Sequence, residues 1–450
     1  MYGRINALTA PASPHGQSDR PPSPLSGSTG AAGPDRETGG RALTVALDAD
    51  DLPAAVPALL ILAGLAPTTW LFPSSVGYLL SGAFVCALVV YGLWATGLPE
   101  RLPWVAVVLG VYWLGLGVQF LVTGDRTFLP YLALTPLAIA AFVVVAPRLV
   151  ARKPTAFAAT LSLLALGLSV IGFALLVAHF RYGFQAPFLG DHVHEVANVR
   201  TASVYTNSNH FGFAALLGAL SALYLTLENG TRRWFWACVT VCLAVAVVLS
   251  NTRSALVAGA AGVVILFGGL DRRLGIVAAV ATVGGAVAVA IFSLFERAVL
   301  SALATLLVRF DAWNSAWQAI VADPVVGNGF ATGIPVHNSY LGVLLHTGVV
   351  VGGVYLLGLA AAGVVGALRA VRGDYWNVYA FAMLVTVCVH LAVETSTIGG
   401  LTTGALALAL FLGLTTDSWG LRLPTARASR GSLERDRPQG RTAPSEDRSP

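Results

Sequence analysis

The chain has 450 residues, of which 56% are hydrophobic and 11% charged, and its mean hydropathy is +0.73. Soluble domains are about one quarter charged, so this composition excludes an ordinary soluble globular protein and points to a polytopic membrane protein. The formal charge of +5 comes from arginine, Lys153 being the sole lysine. Those arginines are scattered through short loops rather than clustered, which argues against a nucleic-acid partner.

Residues 1–45 are rich in Pro, Ser and Gly and contain no apolar run. A signal peptide needs an apolar stretch of about 7–15 residues, so a disordered cytoplasmic tail is expected over 1–50, with the first helix as its own insertion signal. A second tail of the same kind is expected over 419–450. Between them, 51–418 reads as one transmembrane domain. Twelve apolar runs approach the roughly 17–25 residues that a spanning helix needs. They cover 52–72, 75–97, 103–123, 128–147, 156–179, 207–227, 234–250, 254–270, 275–295, 346–368, 377–395 and 397–417. The pair 234–250 and 254–270 hinges on Asn251-Thr252-Arg253 and is expected to form a sheltered helical hairpin. The predicted fold class is therefore all-α. Cys86, Cys238, Cys242 and Cys388 all fall inside apolar runs and read as small buried hydrophobes rather than metal ligands or disulfide partners.

Loop charge sets the expected orientation. Arg148, Arg152 and Lys153, then Arg232 and Arg233, then Arg272 and Arg273, then Arg369 and Arg372 occupy alternate loops. The positive-inside rule makes these cytoplasmic, together with both termini, and the sequon Asn229-Gly230-Thr231 then lies inside. Arg126, Arg181, Arg200, Arg253, Arg297 and Arg309 remain on the outer side, as do two long connections, 180–206 and 296–345. Long external loops on a helical body are where function is expected.

The 180–206 connection carries His192, His194, Glu195 and Arg200, and leads into Tyr205-Thr206-Asn207-Ser208-Asn209-His210. The first three lack a further spaced ligand, so a zinc site is not expected. Asn207 and Asn209 open a helix; they serve either as caps or as amides lining a sugar site. Arg253 sits in a very short turn, and an arginine held that close to the bilayer is costly unless it is paired or ligated.

In the 296–345 connection, Arg309, Trp313 and Trp317 fall on one helix face. That pattern suits an interfacial anchor and also a phosphate clamp. Gly327-Asn328-Gly329 would let the backbone approach a ligand closely. His337 precedes Asn338 at the start of the next apolar run. A helix N-terminus disfavours an imidazolium, so the expected ring is neutral and able to accept a proton. Arginine forks suit a pyrophosphate, and a neutral imidazole suits an acceptor hydroxyl. The set fits transfer of a group from a lipid pyrophosphate to a hydroxyl. No DxD-like acidic pair lies in the external connections, so no divalent metal and no cofactor is required.

The order of these features resembles the O-antigen ligase family, polytopic enzymes related to O-antigen polymerases, over roughly residues 150–415. The resemblance is carried by Arg200 through Asn209, by Asn251-Thr252-Arg253-Ser254, and by Arg309, Trp313, Gly327-Asn328-Gly329, His337-Asn338-Ser339-Tyr340-Leu341 and Gly348. Thr206-Asn207-Ser208-Asn209-His210 departs from the Gly-rich, Asn-Pro-Asn-like form usual there. The resemblance implies a twelve-helix membrane glycosyltransferase of the C-type fold in the cell membrane, acting on its outer face in polysaccharide biosynthesis for the cell envelope. The implied reaction moves a glycan from a polyprenyl-pyrophosphate carrier to an acceptor on a glycan or lipid, with inversion and without a metal. His337 would be the base, Arg200 and Arg309 would hold the donor pyrophosphate, and Arg253 would support them. Asn338, Asn207, Asn209 and Trp313 complete the expected substrate contacts. Two alternatives stay open, a chain polymerase of the same family and a glycolipid transporter or flippase. Transporters place their polar groups near the bilayer midplane, whereas His390 and Glu394, near a helix end, are the main ionisable groups in these spans.

Overall fold

The computed structural model describes residues 64–184, 201–228, 232–294, 298–416 and 420–422, with backbone alone for 285–306 and 420–422. The chain divides at Ala46, and the segment before that point lies outside the described residues. So do the expected 1–50 tail, most of the 52–72 span, the sequon, Arg297, and His192, His194, Glu195 and Arg200 of the first external connection.

The described chain is mostly helical, as the apolar runs require. Helices α1 (Ser74–Thr96), α2 (Trp104–Thr123), α3 (Arg126–Val150) and α4 (Pro154–Tyr182) lead to α5 (Ser208–Glu228), α6 (Arg233–Leu249), α7 (Arg253–Leu270) and α8 (Arg272–Leu294). They are followed by α9 (Ala298–Ala322), α10 (Ser339–Arg372), α11 (Tyr375–Leu391) and α12 (Thr403–Thr416). Helix α3 contains Pro136 and a π turn over Ile139–Val145. The described part of the 52–72 run is not α-helical; it holds a 3-10 turn at Ala66–Thr68. Conversely, about half of the expected 296–345 connection is helix α9.

Among the described residues, seven helices, α1 to α5, α7 and α10, are long and apolar enough to cross a membrane. Twelve spans were expected. Of the other expected spans, most of 52–72 lies outside the described residues, α6 and α11 have 17 residues each, and α12 has 14. At 1.5 Å per residue α12 reaches only about 21 Å against a hydrocarbon core of ~30 Å. Every residue of α12 is buried, and α5 is also largely buried. Helices apolar on all sides pack inside protein, so these two form the core around which the others assemble. Helix α5 lies between α4 and α6, and α12 lies against α3 and α11. The aromatic side chains Tyr224, Tyr375, Trp376 and Tyr379 interlock where α5 meets α11.

Two expectations need correction. Helices α6 and α7 do join through the tight turn, where Asn251 takes a left-handed φ of 52°. They then diverge, α6 packing on α5 and α7 on α11, so they do not form a hairpin. Cys86, Cys238 and Cys242 are exposed on outward helix faces and Cys388 is half-buried. An apolar run records an apolar environment, and lipid satisfies a thiol as well as a protein core does.

The connections segregate to two ends of the bundle. At one end Arg148 donates to the carbonyls of Gly97 and Thr96 at 3.0 and 3.1 Å. Arg369 donates there to Leu414 and Thr415, and Tyr375 to Leu266. A short antiparallel ladder joins Arg101–Pro103 to Gly420–Arg422, inside the stretch read as a C-terminal tail. At the other end Thr69 bridges Tyr205, Thr201 N–H reaches Leu249 O, and Ser339 reaches Glu394. The arginine-rich loops of the sequence all belong to the first end.

Candidate functional site

The second end gathers most of the residues singled out in the sequence, and a carboxylate organises them. Glu394 lies in the 392–402 connection between α11 and α12. Its Oε1 accepts from Asn209 Nδ2 at 2.8 Å and lies 3.7 Å from Arg309 Nη2. The other terminal nitrogen of Arg309 donates to Val393 O at 3.2 Å. Ser339 Oγ donates to Glu394 O at 2.7 Å and accepts from Ser396 N–H at 2.8 Å. Helices α5, α9 and α10 are thus tied to one loop through Asn209, Arg309 and Ser339.

Burial raises the Glu394 carboxyl above the usual carboxylate range, against the opposing pull of Arg309 and Asn209. Both members of the ion pair are partly sheltered, with side-chain exposures of 24% for Arg309 and 18% for Glu394. Arg309 reaches this loop with one nitrogen per partner, so neither contact uses its bidentate fork.

Helix α9 presents Arg309, Trp313, Ala316 and Ile320 toward the protein. Ala316 and Ile320 pack with Val336 and Leu345 in a small apolar cluster. Trp313 sets its ring edge-on to Phe310 at 5.4 Å, and its buried Nε1 has no partner among the described residues. Trp317 is exposed, so the packed stripe runs through Ala316 rather than Trp317.

His337 lies two residues before the helix whose Ser339 binds the Glu394 backbone. Asn338 caps that helix, its Oδ1 accepting from Tyr340 and Leu341 N–H at 2.9 and 3.0 Å. His337 is exposed and has φ 44°. A left-handed backbone at a non-glycine residue costs about 1 kcal/mol or more, and such strain concentrates at functional positions.

The glycine motif has a structural task. Gly327, with φ 75°, and Gly329, with φ 69°, let Asn328 and Gly329 donate to Leu345 O and His346 O at 2.7 and 3.2 Å. The partner is a break in α10 at Gly348, which has φ 71° and ψ 172°. Val349 N–H donates back to Pro324 O at 2.7 Å, and His346 Nδ1 meets Gly329 O at 2.7 Å. Gln119 Nε2 bridges Val326 O and Thr347 O. The close approach expected for a ligand is made by backbone.

Asn207 acts as a cap, its Oδ1 accepting from Asn209 N–H at 2.8 Å. Arg253 is exposed at the start of α7, and the preceding Thr252 Oγ1 bonds Ser208 O at 3.1 Å. This bond sets the Arg253 turn beside the first turn of α5. Arg200 lies outside the described residues; its neighbour Thr201 is held at the same turn through Leu249.

His390 does not bond Glu394. Its ring stacks on Phe213 with centroids 4.0 Å apart, and its buried Nδ1 has no partner among the described residues. Local spacing does not reveal Glu394, Ser339 and Ser396 as ties, because the groups they join lie far apart in sequence. One signal was present, since Glu394 is the sole carboxylate between Asp374 and Asp417. Among the described residues no cluster of three His, Cys, Asp or Glu side chains is placed to hold a metal ion. No protein-family model matches the chain, and no curated protein is significantly similar to it.

Proposed function

We propose that the chain is an O-antigen ligase-like membrane glycosyltransferase, moving a glycan from a polyprenyl-pyrophosphate carrier to an acceptor hydroxyl outside the cytoplasm. One observation supports this reading best: Asn209, Arg309 and the His337-Asn338-Ser339 junction, far apart in sequence, are tied to the single loop that carries Glu394. In the proposed step the acceptor oxygen attacks the anomeric carbon of the donor glycan. The bond from that carbon to the pyrophosphate breaks, the lipid pyrophosphate leaves, and the acceptor proton passes to His337. Arg309, with Arg200 and Arg253, neutralises the charge that develops on the leaving group. Glu394 orients Arg309 and anchors Asn209.

The test is a surface-glycan blot of a host lacking this gene, complemented with wild type or with His337→Ala at equal expression. Wild type is expected to restore the glycan and His337→Ala is not. Accumulation of unattached polymer against accumulation of short lipid-linked units separates ligase from polymerase. Full restoration by His337→Ala would remove the proposed base and bring transport forward.

A further inference from the structure

We infer that the crevice between α1, α2 and α3, in the arginine-rich half of the bundle, holds one acyl chain of an anionic phospholipid whose headgroup is met by Arg148 and Arg152. The inference rests on the membrane-spanning character of these helices and is independent of the reaction proposed above.

The crevice has a volume of about 350 Å³ and is lined by apolar side chains that include Val89, Leu102, Ala140 and Val145, with Gly110 and Trp113 farther in. Two irregularities shape it. Pro136 and the π turn at Ile139–Val145 interrupt regular packing on α3, and such departures open a helix surface. Gly110 leaves a gap on α2, where an added Cβ would meet nothing within 4 Å. Trp113 Nε1 donates to Leu132 O at 2.8 Å and joins α2 to α3 at the inner end.

The dimensions fit one leaflet. Pro136 to Val145 rises at most about 13 Å, within the ~15 Å half-thickness of a bilayer core. A tail entering beside Leu102 and Pro99 would therefore end near mid-depth, at Trp113.

Two arginines follow the lining residues Val144 and Val145 along the chain and bond the end of α1, near the lining residues Leu93 and Pro99 in sequence. Arg148 is fixed by its bonds to Gly97 O and Thr96 O, and Arg152 donates to Ala95 O at 3.2 Å. These carbonyls end α1, whose C-terminal dipole favours cations. Glu100 and Arg101, both exposed, fall in sequence between the lining residues Pro99 and Leu102. Basic groups in this position recognise anionic headgroups.

The full chain, purified with co-extracted lipid, is offered an equimolar mixture of phosphatidylglycerol and phosphatidylcholine carrying a mid-chain diazirine. Photolysis is expected to label peptides containing Gly110, Trp113 and Ala140, with phosphatidylglycerol favoured. Gly110→Leu fills the gap and strengthens helix propensity. It is expected to lower that labelling about tenfold or more, because each displaced methylene loses its burial. Gly82→Leu, on α1 and equally unobstructed, should leave it unchanged. Arg148→Ala with Arg152→Ala should abolish the headgroup preference while labelling persists. Unchanged labelling in Gly110→Leu, or crosslinks that avoid these peptides, would overturn the inference. Equal labelling by the two lipids in wild type would overturn the headgroup assignment and leave annular lipid only.

Discussion

His337 is where strain and the proposed chemistry separate most cleanly. Its left-handed backbone suits glycine better than histidine, so His337→Gly should fold at least as stably as wild type. A general base contributes about 10²–10⁴-fold, and the same substitution is expected to lower transfer by at least about 100-fold. Unfolding midpoints and transfer rates measured on one preparation check both halves. Arg309→Lys keeps the charge and loses the fork, which should slow transfer roughly tenfold or more; near-normal turnover would make Arg309 an anchor. Glu394 gives a pH signature. Its carboxyl is raised in the folded chain, so the native state binds more protons than the unfolded one. Stability should therefore fall as pH rises from the ordinary glutamate value of 4.5 through the raised one. Glu394→Gln should remove that slope in thermal melts taken across pH. Sequence could mark Glu394 as isolated among apolar residues, but it could not show that Asn209 and Arg309 turn toward it, because their separations exceed any local periodicity.

At the scale of elements, the loop 323–338 and the start of α10 form one unit closed by backbone hydrogen bonds. Gly348 faces the Val325 carbonyl too closely for any Cβ, and it has φ 71°. Gly348→Ala should therefore destabilise by about 2 kcal/mol or more, seen as a lower midpoint of unfolding, and should reduce transfer because Ser339 and His337 ride on this unit. An unchanged midpoint would mean that the clamp is dispensable. Most helix positions were legible: the runs 103–123, 207–227 and 254–270 became Trp104–Thr123, Ser208–Glu228 and Arg253–Leu270. Helix α9 was harder to read, because Arg309, Asp311 and Asn314 dilute its hydropathy even though Ala316 and Ile320 on its packed face are apolar. The break at Gly348 was hidden inside a continuous apolar run. Hydropathy also cannot tell lipid from protein, which is why α12 read as a span although its neighbours bury all of it.

At the scale of the molecule, the two ends carry different charge. The described loops at one end hold Arg148, Arg152, Arg232, Arg233, Arg272, Arg273, Arg369 and Arg372, and the candidate site lies at the other. If the basic end faces the cytoplasm, Ala331→Cys in an otherwise cysteine-free chain should react with an impermeant maleimide on intact cells. Glu100→Cys should react only after permeabilisation. The reverse pattern would place the candidate site inside.

The most direct test of the account is a transfer assay on the purified full-length chain in lipid vesicles. It uses a fluorescent glycan on polyprenyl pyrophosphate as donor and follows release of the lipid pyrophosphate. The account predicts release coupled to acceptor glycosylation by wild type and its loss, by about 100-fold or more, in a folded His337→Gly. Equal transfer by the two proteins would contradict it.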